Sequence, residues 1–99
     1  MLRVSLLLAL IALPALAAEP AAEQRLRHLL DHDCGSCHGM TRKGGLGLPL
    51  TAESLVGRSD DDLAYVILNG VPGTPMPPWA PLLTAGEVDW IIRELRGRP

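Results

Sequence analysis

Cys34-Gly35-Ser36-Cys37-His38 contains both cysteines of the 99-residue chain, and its reading decides the fold. C-x-x-C-H is the spacing of c-type haem attachment: each thiol adds across a haem vinyl group, and the adjacent histidine supplies a nitrogen to the iron. Other chemistries use the same two thiols. A redox dithiol needs a surrounding βαβ pattern, and no strand precedes Cys34. A structural zinc site needs four ligands, which His28 and His32 could complete. A plain disulfide needs only the two sulfurs and an oxidising compartment. The pentapeptide leaves these readings open, so its context has to decide.

Composition supplies the first part of that context. There is no phenylalanine, and Tyr65, Trp79 and Trp90 are the only aromatic residues. A short chain this poor in large rings struggles to build a sufficient core unaided, and small scaffolds usually depend on a staple. One large apolar disc such as haem would replace the missing rings. The formal charge of −2 leaves no basic footprint for nucleic acid.

The amino-terminal end supplies the second part. Arg3 gives a minimal positive start, Val4 to Leu13 is an almost unbroken apolar run, and Ala15-Leu16-Ala17 places small residues at −3 and −1 of a cleavage point. This is the layout of a secretory signal peptide. The apolar run falls short of the roughly 20 residues that span a bilayer, which argues against a membrane anchor. Residues 1–17 therefore read as a signal cleaved near Ala17, and 18–99 as one exported domain. Without Arg3, eight basic residues face eleven acidic ones in that domain, a net charge of −3.

An iron held on one face by His38 needs a ligand on the other. Met1 leaves with the signal, and Met40 lies too close in sequence to His38 to reach the opposite face. Met76 lies in Val71-Pro72-Gly73-Thr74-Pro75-Met76-Pro77-Pro78-Trp79-Ala80-Pro81, where five of eleven residues are proline. Proline fixes φ, so this loop can hold a weak thioether ligand with little ordering entropy left to lose. Alone, the segment would read as a surface linker with a gap-filling methionine; beside the cysteine motif, Met76 reads as the second axial ligand. His28 and His32, one turn apart on the expected first helix, read as solvated polar residues, with a distal ligand or a surface metal site as the sharper alternative.

Helices bracket both loops. The first is expected from about Ala21 to Asp33, with Leu26, Leu29 and Leu30 on one stripe. The second opens at Ser59 with Asp62 three residues on, carries Leu63, Val66 and Ile67 inward, and stops at Gly70. In the third, Thr84 and Glu87 form a capping box, and Val88, Ile91, Ile92 and Leu95 repeat at i, i+3, i+4, i+7. Asp60, Asp61 and Asp62 need no more than the favourable field of a helix start. A short helical turn is possible over Thr51 to Val56, and Arg93, Arg96 and Arg98 gather at the far end. No segment alternates as a strand does, so the architecture reads as all-α. The carbonyl of Leu48 or Pro49 is expected to accept the other ring N–H of His38, as metal-bound histidines require.

The motif, the Gly-rich loop after it, Met76-Pro77-Pro78-Trp79 and the amphipathic last helix resemble the class I cytochromes c over residues 21–97. More narrowly, CGSCHGMTRKGGLG (34–47) and GVPGTPMPPW (70–79) resemble the small periplasmic cytochromes c55X encoded beside dissimilatory nitrite reductase. The resemblance implies three main helices wrapped around one covalent haem c, bound through Cys34 and Cys37, with His38 and Met76 as axial iron ligands. First and last helices would cross, bringing Leu29 or Leu30 against Trp90 or Ile91. It implies a one-electron carrier rather than an enzyme, with a redox protein partner in denitrification. That partner is nitrite reductase, or the proteins that mature its haem d1 cofactor; a haem enzyme or sensor with a labile sixth ligand is the remoter alternative. One departure stands out: the family's Gly-Pro-x-Leu reads Gly47-Leu48-Pro49-Leu50 here. Trp79 would either pack on the cofactor or meet the partner.

Overall fold

The computed structural model describes residues 2–5, 7–9 and 18–98. The alanines at the expected cleavage point lie outside them. The first helix, α1 (Ala18–His28), does not stop at Asp33 as its sequence suggests. It continues through a π-helical segment, Leu29–Cys34, into α2 (Gly35–His38), so both cysteines and the histidine ride on helical backbone. The expected stop failed because nothing between Asp33 and His38 breaks a helix. Gly35 keeps helical angles (φ −62°, ψ −27°), and the break comes at Gly39, whose φ is +92°.

A 3₁₀ turn at Glu53–Leu55 falls within the expected Thr51–Val56 stretch. α3 (Asp60–Asn69) starts where the Ser59 hydroxyl accepts the Asp62 N–H at 3.1 Å, satisfying one of the free donors of the first turn. α4 (Ala85–Leu95) has the complete capping box: Thr84 Oγ1 accepts the Glu87 N–H at 3.2 Å, and Glu87 Oε1 accepts the Thr84 N–H at 3.0 Å. No strand occurs among the described residues, and the class is all-α as expected.

The apolar stripes meet in one cluster. Leu26, Leu29 and Leu30 of the first helix, Leu63 of α3, and Val88, Ile91, Ile92 and Leu95 of α4 are all buried in it, with Trp90 packed against its side. Burying each such side chain contributes about 1.5–3 kcal/mol, and these residues tie α1 and α3 to α4. Two ion pairs close the seam between α1 and α4 from outside: Arg25 with Glu87, and Arg27 with Glu94 at 2.6 Å. The Arg27 guanidinium also lies 5.3 Å from the Trp90 ring centroid. Exposed contacts of this kind are worth about 0–1 kcal/mol each, so they orient the crossing rather than drive it.

The far end of α4 is fastened more firmly. Arg96 donates to Asp60 Oδ1 at 2.6 Å, to the Leu55 carbonyl at 3.2 Å and to the Arg58 carbonyl at 2.6 Å, while Arg98 donates to both Asp60 oxygens. Asp60 thus does more than complement a helix start. These bonds hold its carboxyl below the usual carboxylate range, the Arg96 hydrogen bond contributing most.

Candidate haem-binding site

The helices and the loops between them frame an open cavity of about 1220 Å³, floored by the core residues Leu30, Leu55, Leu63, Leu83, Ile91 and Leu95. Pockets for small molecules run to roughly 1,000 Å³. A space of this size, lined mostly by apolar side chains, has room for a large apolar group. Cys34, Cys37 and His38 line it from one side, and Met76 lines it from the proline loop.

His38 is held from two directions. Its Nδ1 lies 2.7 Å from the Leu48 carbonyl, which can only accept, so the proton sits on Nδ1. Nε2 keeps its lone pair for a metal, the arrangement that a histidine ligand requires. Of the two candidate carbonyls, that of Leu48, the residue directly after Gly47, fills the role. The loop from Gly39 to Leu48 closes by backbone bonds, from the Gly44 N–H to the His38 carbonyl at 2.9 Å and from the Gly47 N–H to the Cys37 carbonyl at 2.7 Å. A Cβ at Gly47 would sit 2.8 Å from two atoms of the His38 ring, so only glycine lets the backbone pass there.

Met76 is half-buried, and its loop is seated on the end of α3. The N–H groups of Trp79 and Ala80 donate to the Ile67 and Leu68 carbonyls at 3.0 and 3.1 Å, using acceptors that the helix end leaves free. The Val71 N–H donates to the Met76 carbonyl at 3.1 Å. Gly70 makes that seat possible. It has φ +67°, and a Cβ there would lie 2.7 Å from the Met76 carbonyl oxygen. Trp79 is partly buried, packs against the core and lines the cavity, which favours its packing role over partner contact.

The rival thiol chemistries fare poorly. Burial first, and then the neighbouring charge of Asp33, push the Cys34 thiol from 9.0 up to about 11, the opposite of an activated dithiol. Cys34 and Cys37 are not bonded to each other. Among the described residues, no three His, Cys, Asp or Glu side chains converge as a metal site. The rings of His28 and His32 stack 4.4 Å apart on an exposed helix face, and neither lines the cavity. Met40 is exposed and packs beside Gly35, away from the cavity.

Residues 21–93 match the protein family described as cytochrome c oxidase, cbb3-type, subunit III. Cytochrome c55X of Paracoccus denitrificans (strain Pd 1222) is 54% identical over 93 residues, covering 92% of this chain and 90% of that one. The chain belongs to the cytochrome c55X family of c-type cytochromes. Like other members, this cytochrome carries covalently bound haem c and serves electron transfer. Among solved structures, the c-type cytochrome NirC superposes with a TM-score of 0.75 at 48% identity, over 78% of this chain and 91% of that one. Dihydro-haem d1 dehydrogenase NirN, in complex with DHE, superposes at 0.66 and 34% identity, over 74% of this chain but only 16% of NirN.

The cavity fits such a group: apolar walls, two thiols, an imidazole with its outer nitrogen already occupied, and a thioether on the facing loop. Sequence reasoning missed the grip of Arg96 and Arg98 on Asp60. The only signal was a run of three aspartates opening one helix and three arginines closing another.

Proposed function

We propose that this chain is a periplasmic one-electron carrier of denitrification, without an enzymatic activity of its own. Its haem attaches at Cys34 and Cys37, and the iron lies between His38 and Met76. The observation that carries this reading is the His38 ring, whose Nδ1–H is committed to the Leu48 carbonyl at 2.7 Å while the histidine faces a cavity that Met76 also lines. A bound haem supplies reversible one-electron chemistry at its iron. The residues fix its orientation, exclude water from most of its surface and set its potential through thioether ligation.

Export is part of the same reading. Residues 1–17 are a signal removed near Ala17, and 18–99 are the working domain. In support, Leu2 and Leu7 are 97% and 93% exposed and take no part in the core. No helix among the described residues is long and apolar enough to cross a membrane. Mass spectrometry of the exported protein would check the cleavage point.

For the partner, the likeness to cytochrome c55X and NirC favours electron donation to nitrite reductase. A second reading has its own observation: the domain also resembles part of a dihydro-haem d1 dehydrogenase, which favours a role among proteins that mature haem d1. Rapid mixing of the reduced cytochrome with oxidised nitrite reductase separates the two. Electron transfer well above that of an unrelated reduced cytochrome supports the donor role. A rate equal to that background, with tight binding to a haem d1 dehydrogenase instead, supports the maturation role.

A further inference from the structure

The carbonyl that fixes His38 sits on a residue with little side-chain anchorage of its own. Leu48 is 71% exposed, and Leu46, two residues before it, is 79% exposed. The position of the Leu48 carbonyl therefore depends on main-chain bonds to either side of it. Upstream, the Gly47 N–H donates to the Cys37 carbonyl at 2.7 Å. Downstream, the Leu50 N–H donates to the Arg42 carbonyl at 2.9 Å, and Leu50 packs against the core. Arg42 thus holds one end of the short stretch that meets the His38 ring.

Arg42 is itself kept in an unfavourable conformation. Its φ is +62°, and among the described residues it is the only one other than glycine with a positive φ. That region brings the Cβ of an L-residue too close to the following carbonyl oxygen. A residue stays there only where its surroundings over-determine it. Two contacts do so here. The Arg42 N–H donates to the Gly39 carbonyl at 2.9 Å, and the guanidinium donates to Asp31 Oδ1 at 2.9 Å. Asp31 lies on the π-helical segment that leads into Cys34, and the ion pair is partly buried. Arg42 does not line the cavity, so its influence there runs through its backbone.

We propose that Asp31 and Arg42 form a strap that positions the Leu48 carbonyl against the His38 Nδ1–H and thereby tunes the potential of the bound haem. Arg42 is the positioning residue, and Asp31 is its anchor on the helix that carries the thiols. The inference rests on His38 ligating the iron. A carbonyl that accepts from Nδ1–H makes the opposite ring nitrogen a more basic ligand, which favours oxidised iron. Loosening the strap weakens that bond. The midpoint potential then rises, and the Nδ1–H exchanges more readily with solvent. Removing one member of the ion pair alone would also move the potential through its field, so the decisive variant removes both.

The test measures solvent exchange of the His38 Nδ1–H by nuclear magnetic resonance in the reduced, haem-loaded protein, together with the midpoint potential. Wild type is compared with Asp31→Ala/Arg42→Ala, which has the same net charge, and with Arg42→Lys, which keeps the ion pair. The double variant should exchange about fivefold faster, the change expected for weakening one hydrogen bond, and should have a higher midpoint. Arg42→Lys should stay close to wild type in both. If the double alanine variant loads no haem, Asp31→Asn/Arg42→Gln takes its place, with the same two changes at smaller size. Exchange equal to wild type in the double variant, with haem content intact, overturns the proposal whether or not the midpoint moves. Faster exchange at an unchanged midpoint overturns the tuning. A missing Met–iron band in wild type would instead overturn Met76 ligation in the proposed function. Exchange is then read on the carbon monoxide adduct, because the strap concerns His38 alone.

Discussion

The two walls of the cavity are built by different means. On one side, His38 is carried by a helix, flanked by both thiols, fixed through Nδ1 and pressed by the Gly47 backbone. On the other, Met76 hangs from a proline-stiffened loop whose fixings are main-chain bonds to α3 and the seat at Gly70. The first wall immobilises the ligand's own ring; the second immobilises only the backbone that carries the ligand. On the proposed ligation, the histidine side would decide whether a cofactor is held at all, while the methionine side would decide how the held iron behaves.

Removing both thiols should have the largest effect. In Cys34→Ala/Cys37→Ala the haem is no longer covalent, and the chain is left to stabilise a domain built around a cavity of about 1220 Å³. Far-ultraviolet circular dichroism should show loss of most helical signal when haem is extracted, whereas wild type keeps its haem through denaturation. The two glycines then set the walls against each other. Gly47→Ala forces a Cβ onto the His38 ring and should destabilise the domain by about 1–3 kcal/mol in denaturant titrations. Gly70→Ala meets similar local strain but acts on the other wall, so it should lose the Met–iron band at temperatures where the helices remain folded. If Gly70→Ala unfolds the whole domain at once, the two walls are not separable.

Met76→Ala should leave the covalent haem and the helices in place and open the sixth position. The checks are a lost Met–iron band, binding of carbon monoxide by the reduced form and a lower midpoint potential. The smallest effect concerns the fastening behind the cavity. Asp60 is held below its ordinary value of 3.8, so its contribution to stability is present above that value and is lost as the pH falls through the lower folded value. Wild type should therefore lose more stability than Asp60→Asn as the pH is taken down through 3.8 and below in thermal melts.

How much of this was legible in the sequence depended on the range of the interactions. α4 could be read in full, because a capping box and an i, i+3, i+4, i+7 stripe are local signals, and both are met by Thr84, Glu87 and the four buried residues. The proposed haem site was argued from the sequence for a chemical reason: the chain has two cysteines and three methionines, and of the methionines only Met76 could reach a face opposite His38. The end of the first helix was misplaced because the motif itself continues the helix until Gly39. The choice between Leu48 and Pro49 turned on a one-residue shift that only three dimensions resolve. The bond from Arg96 to Asp60 spans 36 positions, and nothing local in either residue announces it.

The central claim, iron held between His38 and Met76 in a haem bound through Cys34 and Cys37, is tested most directly by the absorption spectrum of the exported protein in both oxidation states. The account predicts a c-type α-band on reduction, together with a Met–iron band in the oxidised form. An oxidised spectrum without that band, or a reduced one without the α-band after export through a working maturation system, would contradict it.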